Sequence, residues 1–304
     1  MALVPFDDRD GSIWINGEMV PWRDATSHTL SHGLHYASTV FEGERVYSGV
    51  IFKGREHTER LRNSCKIMDF ELPLGDDELD AAKMAVVEAN GIVDGYVRAF
   101  AWRGSEMMAI SAQHTTTHVA IAAWEWPSYF DPEVKMKGIT LDISDWKRPS
   151  PESAPVNAKA AGLYMICTLS KHAAEKKGFQ DALMLDYRGY IAEATGANVF
   201  FVDGEGTIHT PIADCFLDGI TRRTVIALAE SMQIKVVQRH LTLDDLSDMT
   251  ECFLTGTAAE VTPVSQVGDH SFTPADISRQ LVDGYENLVR GRIVIYPGAS
   301  LPFA

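Results

Sequence analysis

The chain has 304 residues, 45% of them hydrophobic and 23% charged, the balance of a globular protein with length enough for two domains. Its formal net charge of -15 disfavours nucleic acid and anionic membranes as partners, so an anionic ligand must be held by a local set of donors. No run approaches the roughly 18 apolar residues of a membrane span, the start MALVPFDDRDG lacks the layout of a secretory signal, and Cys65, Cys167, Cys215 and Cys252 form no CxxC pair of the kind zinc sites and redox dithiols use, so a cytoplasmic protein with buried thiols and a small-molecule partner is expected.

In chain order, IWINGEMV (Ile13 to Val20) alternates apolar positions around Asn16-Gly17 and predicts a hairpin. FEGERVY and GVIFK predict two more strands around Ser48-Gly49. Helical spacing of Leu61, Cys65 and Met68 predicts a helix from Arg55 to about Met68, and a second runs from an Asp76 cap to Asn90 before Gly91. Tyr96 to Trp102 and Val119 to Trp126 are rich in aromatic and β-branched residues and predict strands. PSYFDPEVKMKG (Pro127 to Gly138) loses periodicity. A connector is therefore expected at 131–138, between a smaller N-terminal domain (1–130) and a larger C-terminal one (139–304).

Beyond it come a strand at Ile139 to Ile143, a loop carrying Pro149, Pro151 and Pro155, and an Ala-rich helix from about Ala160 to Lys177. Strand pairs around Arg188-Gly189 and Asp203-Gly204, a helix after Gly219, a strand at Glu251 to Thr255 and a helix from about Pro274 to Arg290 complete the chain. Strands and helices without regular βαβ alternation predict an α+β fold.

Lys159 lies among small and apolar residues in PVNAKAAGLY, where a Pro-containing loop is expected to enter the helix. Burial and positive potential make a lysine amine nucleophilic; alternatively it reaches to solvent. Pyridoxal chemistry joins such an amine, and asks for a carboxylate beside the ring nitrogen and donors for a phosphate. Glu193 in GYIAEATGANVFF could supply the carboxylate, or be a solvent-facing strand end. Gly219-Ile220-Thr221 and Gly256-Thr257-Ala258 offer turns with backbone donors and Arg60 a charge, although a Gly-Thr turn is often a simple cap. Tyr96 and Arg98, two apart on a strand, share a face suited to a carboxylate-bearing substrate, or form a cross-strand pair. His28, His32 and His35 resemble metal-ligand spacing, but no carboxylate or cysteine stands in register and no metal is expected. Gly204 and Gly206 belong to a turn, since GxGxxG is incomplete.

Together, SHGLHYASTVFEGERVY, FKGREHTERL, YVR, NAKAAGLY, GYIAEATGANVF, LDGITR and LTGTAAEVTPV, spread in order over nearly the whole chain, resemble the branched-chain aminotransferase family of fold type IV pyridoxal enzymes. The resemblance implies a two-domain fold with pyridoxal 5'-phosphate at the domain interface. Lys159 would form the Schiff base and shuttle the proton, Glu193 pair with the pyridine nitrogen and Tyr164 with the ring hydroxyl, and Arg60, Ile220, Thr221 and Thr257 hold the phosphate. The substrate pocket would map to Tyr36, Phe41, Arg45, Tyr96, Arg98, Trp126, Tyr129 and Ala258.

The implied activity is ping-pong transamination of leucine, isoleucine and valine with 2-oxoglutarate, in a homodimer or higher homo-oligomer. Where the family has a Gly-rich loop this chain has GSEMMAISAQ (Gly104 to Gln113), bulkier and more apolar, which bears on substrate range. A D-amino acid or (R)-amine aminotransferase, an aminodeoxychorismate lyase and a catalytically silent binding protein are the alternatives.

Overall fold

The fold is that of a computed structural model, described for residues 4–126 and 135–295. Tyr129 and the first half of the expected connector, 131–134, lie outside the described residues. The chain forms two compact units, one from Met1–Pro127 with Ala158–Gly162, the other from Ser128–Asn157 with Leu163–Ala304.

In the first unit, β1 (Ser12–Ile15) and β2 (Glu18–Pro21) form the hairpin expected at Asn16-Gly17, whose φ angles of 51° and 105° are those a tight two-residue turn requires. A short helix α1 (His32–Tyr36) precedes β3 (Thr39–Phe41), β4 (Glu44–Tyr47) and β5 (Val50–Ile51). Then follow α2 (Gly54–Ile67), α3 (Asp76–Ala89), β6 (Gly95–Arg103) and β7 (Thr117–Glu125). The antiparallel sheet runs β2-β1-β7-β6-β4-β5, with β3 also on β6.

The two-residue period of β6 buries Val97, Ala99 and Ala101 on one face and turns Tyr96, Arg98, Phe100 and Trp102 to the other. Helix α3 packs on β1, β6 and β7, burying Leu79, Ala82, Lys83, Val86 and Val87 at helical spacing. Each buried Leu or Val there contributes about 1.5–3 kcal/mol. The cap of α3 differs from expectation. Asp76 lies inside the first turn, where Arg62 Nε pairs with it at 2.6 Å, and Gly75 is the N-cap, its N–H donating to Glu78 at 2.7 Å.

The second unit holds β8 (Ile139–Ile143), α4 (Tyr164–Lys176), β9 (Asp181–Leu185), β10 (Ile191–Ala194), β11 (Asn198–Asp203) and β12 (Ile208–Thr210). After these come α5 (Ile220–Ser231), β13 (Val236–Gln238), β14 (Met249–Gly256), β15 (Glu260–Val267), β16 (His270–Ser271) and α6 (Asp276–Val289). Its strands run β10-β9-β8-β15-β14-β11-β12-β13, and a further β10–β11 pairing closes the first six into a ring. Leu141, Leu183, Val199, Phe201, Leu254 and Val264 form part of its core. Glu251 on β14 caps α6, accepting from Ala275 N (3.0 Å), Ile277 N (3.3 Å) and Ser278 N (2.8 Å).

The sequence reading departs from the structure most around residue 160. No regular helix begins at Ala160: a 3-10 turn, Ala161–Leu163, precedes α4. Phe41 N donates to the Lys159 carbonyl at 3.1 Å and Val40 bridges Ala160, so this backbone is committed to strand-like pairing and cannot also enter a helix. Those bonds also group Ala158–Gly162 with the first unit, whereas the boundaries expected from sequence put the segment in the C-terminal domain.

Candidate active site

The first unit gathers Lys159, Phe41, Tyr96, Arg98, Arg45 and Trp126. Lys159 N–H donates to Ser64 Oγ on α2 (3.0 Å), which fixes where the half-buried side chain leaves the backbone. Its Nζ stands 4.9 Å from the centre of the Phe41 ring, and the Arg98 guanidinium carbon stands 4.6 Å from the same centre. Both cations thus use one aromatic wall. Arg98 Nη2 lies 3.5 Å from Tyr96 Oη, and the Tyr96 ring packs beside Trp124 and Trp126, with centroids at 5.1 and 5.5 Å. That hydroxyl occupies the space a side chain on Gly43 would need: a Cβ there would lie 1.8 Å from it. Arg45 is buried, its Nη2 donates to the Trp126 carbonyl (3.2 Å), and its guanidinium lies over Tyr47 at 5.0 Å. Tyr36 is exposed at the end of α1 and stacked on His32 at 4.6 Å.

Arg60 on α2 is held by Glu42, with Nε to Oε1 and Nη2 to Oε2 both at 2.7 Å. Oε2 also meets His57 Nδ1 at 2.7 Å. Burial pushes the Glu42 carboxyl up, but Arg60 and His57 outweigh it and hold the group well below the usual carboxylate range. Glu44, two residues on and equally buried, goes the other way, because burial there exceeds the pull of Lys83 3.0 Å away.

The second unit carries Glu193 on β10. Arg148, buried in the loop after β8, places Nε 3.2 Å from Glu193 Oε1 and donates from Nη1 to the Leu163 carbonyl (3.3 Å) just before α4. Asn198 Nδ2 reaches Glu193 Oε2 (3.3 Å) and the Leu217 carbonyl (3.1 Å), which ties Glu193 to the turn leading into α5. Gly219 is the N-cap of α5 and brings no side chain to cap it; a Cβ there would fall 2.2 Å from Asn198 Oδ1. Ile220 and Thr221, both buried, therefore open α5 with first-turn N–H groups that have no partner inside the helix. Thr257 and Ala258 sit in the tight β14–β15 turn, between the paired Gly256 and Glu260. Tyr164 is the first residue of α4, half-buried.

Taken unit by unit, this donor set fits pyridoxal phosphate. Uncapped first-turn amides beside a glycine that must stay bare suit a phosphate, and a carboxylate oriented by a guanidinium and an amide suits a ring nitrogen. Arg148 and Asn198 were not singled out in the sequence. Arg148 meets Glu193 only through the fold, whereas Asn198 stands opposite it across the β10–β11 hairpin.

The three histidines turn to separate tasks. His32 contacts Ser38 Oγ (2.9 Å) and the Ala109 carbonyl (3.0 Å), His35 the Thr29 carbonyl (2.9 Å), and His28 accepts from Leu30 N (3.1 Å). Among the described residues, the group with metal-ligand spacing is Asp186, Asp214 and Cys215. There the Arg188 guanidinium already bridges both carboxylates at 2.7 Å, and burial and those carboxylates push the Cys215 thiol up to about 12. All four cysteines are buried and unpaired. In the 104–113 loop, Met108 and Ile110 are exposed, while the Ala112 carbonyl accepts from Arg103 Nη1 at 2.7 Å. No helix among the described residues is long and apolar enough to cross a membrane.

Residues 39–267 match the family model described as amino-transferase class IV. The chain is 40% identical over 294 residues to a probable branched-chain-amino-acid aminotransferase of Rickettsia conorii, covering 95% of this chain and 100% of the relative. It is 39% identical over 292 residues to the branched-chain-amino-acid aminotransferase of Pseudomonas aeruginosa, covering 94% and 95%. Among solved structures it is similar to the branched-chain amino acid aminotransferase of Thermobaculum terrenum in its PLP-bound holo form, at TM-score 0.86 and 30% identity, covering 95% of this chain and 97% of that one.

Proposed function

The chain belongs to the class IV aminotransferases, as a branched-chain aminotransferase family member, and from that premise we propose that it transfers the amino group between L-leucine, L-isoleucine or L-valine and 2-oxoglutarate. It is a pyridoxal-phosphate-dependent enzyme. The observation that carries the substrate reading is the shared ring of Phe41, with the Lys159 amine and the Arg98 guanidinium against it. A guanidinium beside an aromatic wall can take a second carboxylate in one half-reaction and leave the wall to a branched apolar side chain in the other.

When bound, pyridoxal phosphate stabilises the electron pair left when the substrate Cα loses its proton. Lys159 would hold the cofactor covalently and move that proton, its backbone fixed by Ser64 and Phe41. In the second unit, Glu193 would pair with the ring nitrogen and Tyr164 with the ring hydroxyl, while the amides of Ile220 and Thr221, with Thr257, would take the phosphate. Arg60 is assigned to the phosphate on the family resemblance. Phe41, Tyr96, Arg98, Arg45 and Trp126 would orient the amino acid and exclude water from it, and Tyr36, Tyr129 and Ala258 are assigned to the same pocket on the family resemblance. A cytoplasmic homodimer or larger homo-oligomer completes the proposal; unpaired buried thiols support the compartment, and the family resemblance supports the assembly.

Steady-state assays with leucine, isoleucine and valine against 2-oxoglutarate should give parallel double-reciprocal lines. Turnover confined to D-alanine or (R)-amines, or pyruvate release from aminodeoxychorismate without amino transfer, would overturn the proposal. Lys159→Ala should abolish both turnover and covalent retention of the cofactor.

A further inference from the structure

We propose that Glu42 is a positioning residue that aims the Arg60 guanidinium at the cofactor phosphate. This rests on the reading of Arg60 as a phosphate ligand given above. Glu42 follows β3 directly, its side chain 1% exposed, and its backbone N–H donates to the Ala99 carbonyl at 2.7 Å, so the residue is fixed to the sheet at its backbone. It takes the Nε and Nη2 edge of Arg60 in two bonds of 2.7 Å, which sets the plane of the guanidinium and therefore the direction of its Nη1 end. His57, one helical turn before Arg60 on α2 and 3% exposed, grips Oε2 at 2.7 Å and keeps the carboxylate from rotating away. Burial opposes its charge, yet Arg60 and His57 keep the group a carboxylate throughout the working range.

The proposal runs against a simple charge argument. A carboxylate on Arg60 cancels part of the positive charge offered to a phosphate, so by charge alone its removal should tighten phosphate binding. A long arginine that is not oriented must instead lose side-chain freedom on each binding event, and a phosphate needs its donors at fixed angles. The two effects have opposite signs, which makes the test decisive.

The full-length protein, freed of cofactor, is titrated with pyridoxal phosphate and, in parallel, with pyridoxal, which lacks the phosphate; visible absorbance reports both. Glu42→Gln should weaken pyridoxal phosphate by about tenfold, the loss of one charge-assisted bond, with pyridoxal unchanged. In a double-mutant cycle with Arg60→Lys, the double variant should be no weaker than Arg60→Lys alone, because Glu42 acts through Arg60. Unchanged or tighter pyridoxal phosphate binding, equal losses for both ligands, or additive effects would each overturn the proposal. Should Glu42→Gln not fold, His57→Leu is read the same way: about a threefold, phosphate-specific loss is expected, and no loss overturns it. If Arg60→Ala keeps the full preference for pyridoxal phosphate over pyridoxal, Arg60 is no phosphate ligand and the underlying reading falls, an outcome distinct from failure at Glu42.

Discussion

Arg148 lies in a loop and Glu193 on a strand 45 positions later, yet Arg148 Nε stands 3.2 Å from Glu193 Oε1 with both side chains largely out of water. Replacing the guanidinium by a methionine side chain of similar length removes the charge that faces the partly buried Glu193 carboxylate. Arg148→Met should therefore lower kcat by roughly ten- to a hundredfold, as removing the partner of a buried charged group does, and shift the visible absorbance of the holoenzyme. An unaltered kcat and spectrum would place Arg148 outside the site.

Gly43 is required by the approach of Tyr96. Gly43→Ala puts a methyl group where the Tyr96 hydroxyl now sits, so the ring must move. The expected cost is about 1–3 kcal/mol of stability, with a raised KM for both amino acid and oxo acid. A variant with wild-type KM would show that the Tyr96 position does not matter to the substrate.

At α6, one strand carboxylate serves three backbone donors. Glu251→Ala should cost about 1–3 kcal/mol in urea unfolding, the penalty of stranding the buried Ser278 amide and two partly covered ones. Glu251→Gln, which keeps an acceptor, should cost less. Equal midpoints for Glu251→Ala and wild type would count against the cap.

Neighbouring carboxylates give opposite pH responses. The folded Glu42 carboxyl is held low, so its stabilising contribution is fully present above the unfolded value of about 4.3 and is lost as pH falls through that value toward the folded one. Glu44 is raised by burial, so its ionised form costs stability above the unfolded value and acidification relieves that cost. Unfolding measured at about pH 7 and about pH 4 should show the advantage of wild type over Glu42→Gln shrinking with acid, and the difference from Glu44→Gln moving the other way. Slopes of the same sign would contradict this assignment.

Burial pushes Cys65 up to about 12 and Cys167 up to about 11, while burial and its carboxylate neighbours raise Cys215 to about 12. With thiolate scarce and access closed, iodoacetamide at about pH 8 should leave these cysteines unlabelled in the native protein and modify them in guanidinium. Mass spectrometry of the native digest checks this directly.

Much of the scaffold was legible because periodicity is local. The Asn16-Gly17 hairpin, the helix around Leu61 and Cys65, and the strand bearing Tyr96 and Arg98 all follow from spacing that contiguous residues carry. Lys159 was misread at the level of backbone for the opposite reason: small residues after it suit a helix, but Phe41, more than a hundred residues earlier, claims its carbonyl. Arg148 and Glu251 are hidden in the sequence in the same way. An arginine before a proline-rich loop, or a glutamate within a strand, has no pattern of its own, and its partner is decided only when distant segments meet.

The five-residue excursion Ala158–Gly162 has a consequence for how such a protein can be cut and recombined. Because the lysine-bearing stretch is covalently embedded in the second half of the sequence while it packs with the first unit, no single break in the chain releases the first unit whole. A fragment ending at the connector would keep the β6 side of Val40 and Phe41 but lose their pairing with Lys159 and Ala160, and a fragment beginning there would carry the lysine without its support. The two units are thus not exchangeable cassettes: a hybrid joining the front of one relative to the back of another must match the Phe41–Lys159 pairing across the splice.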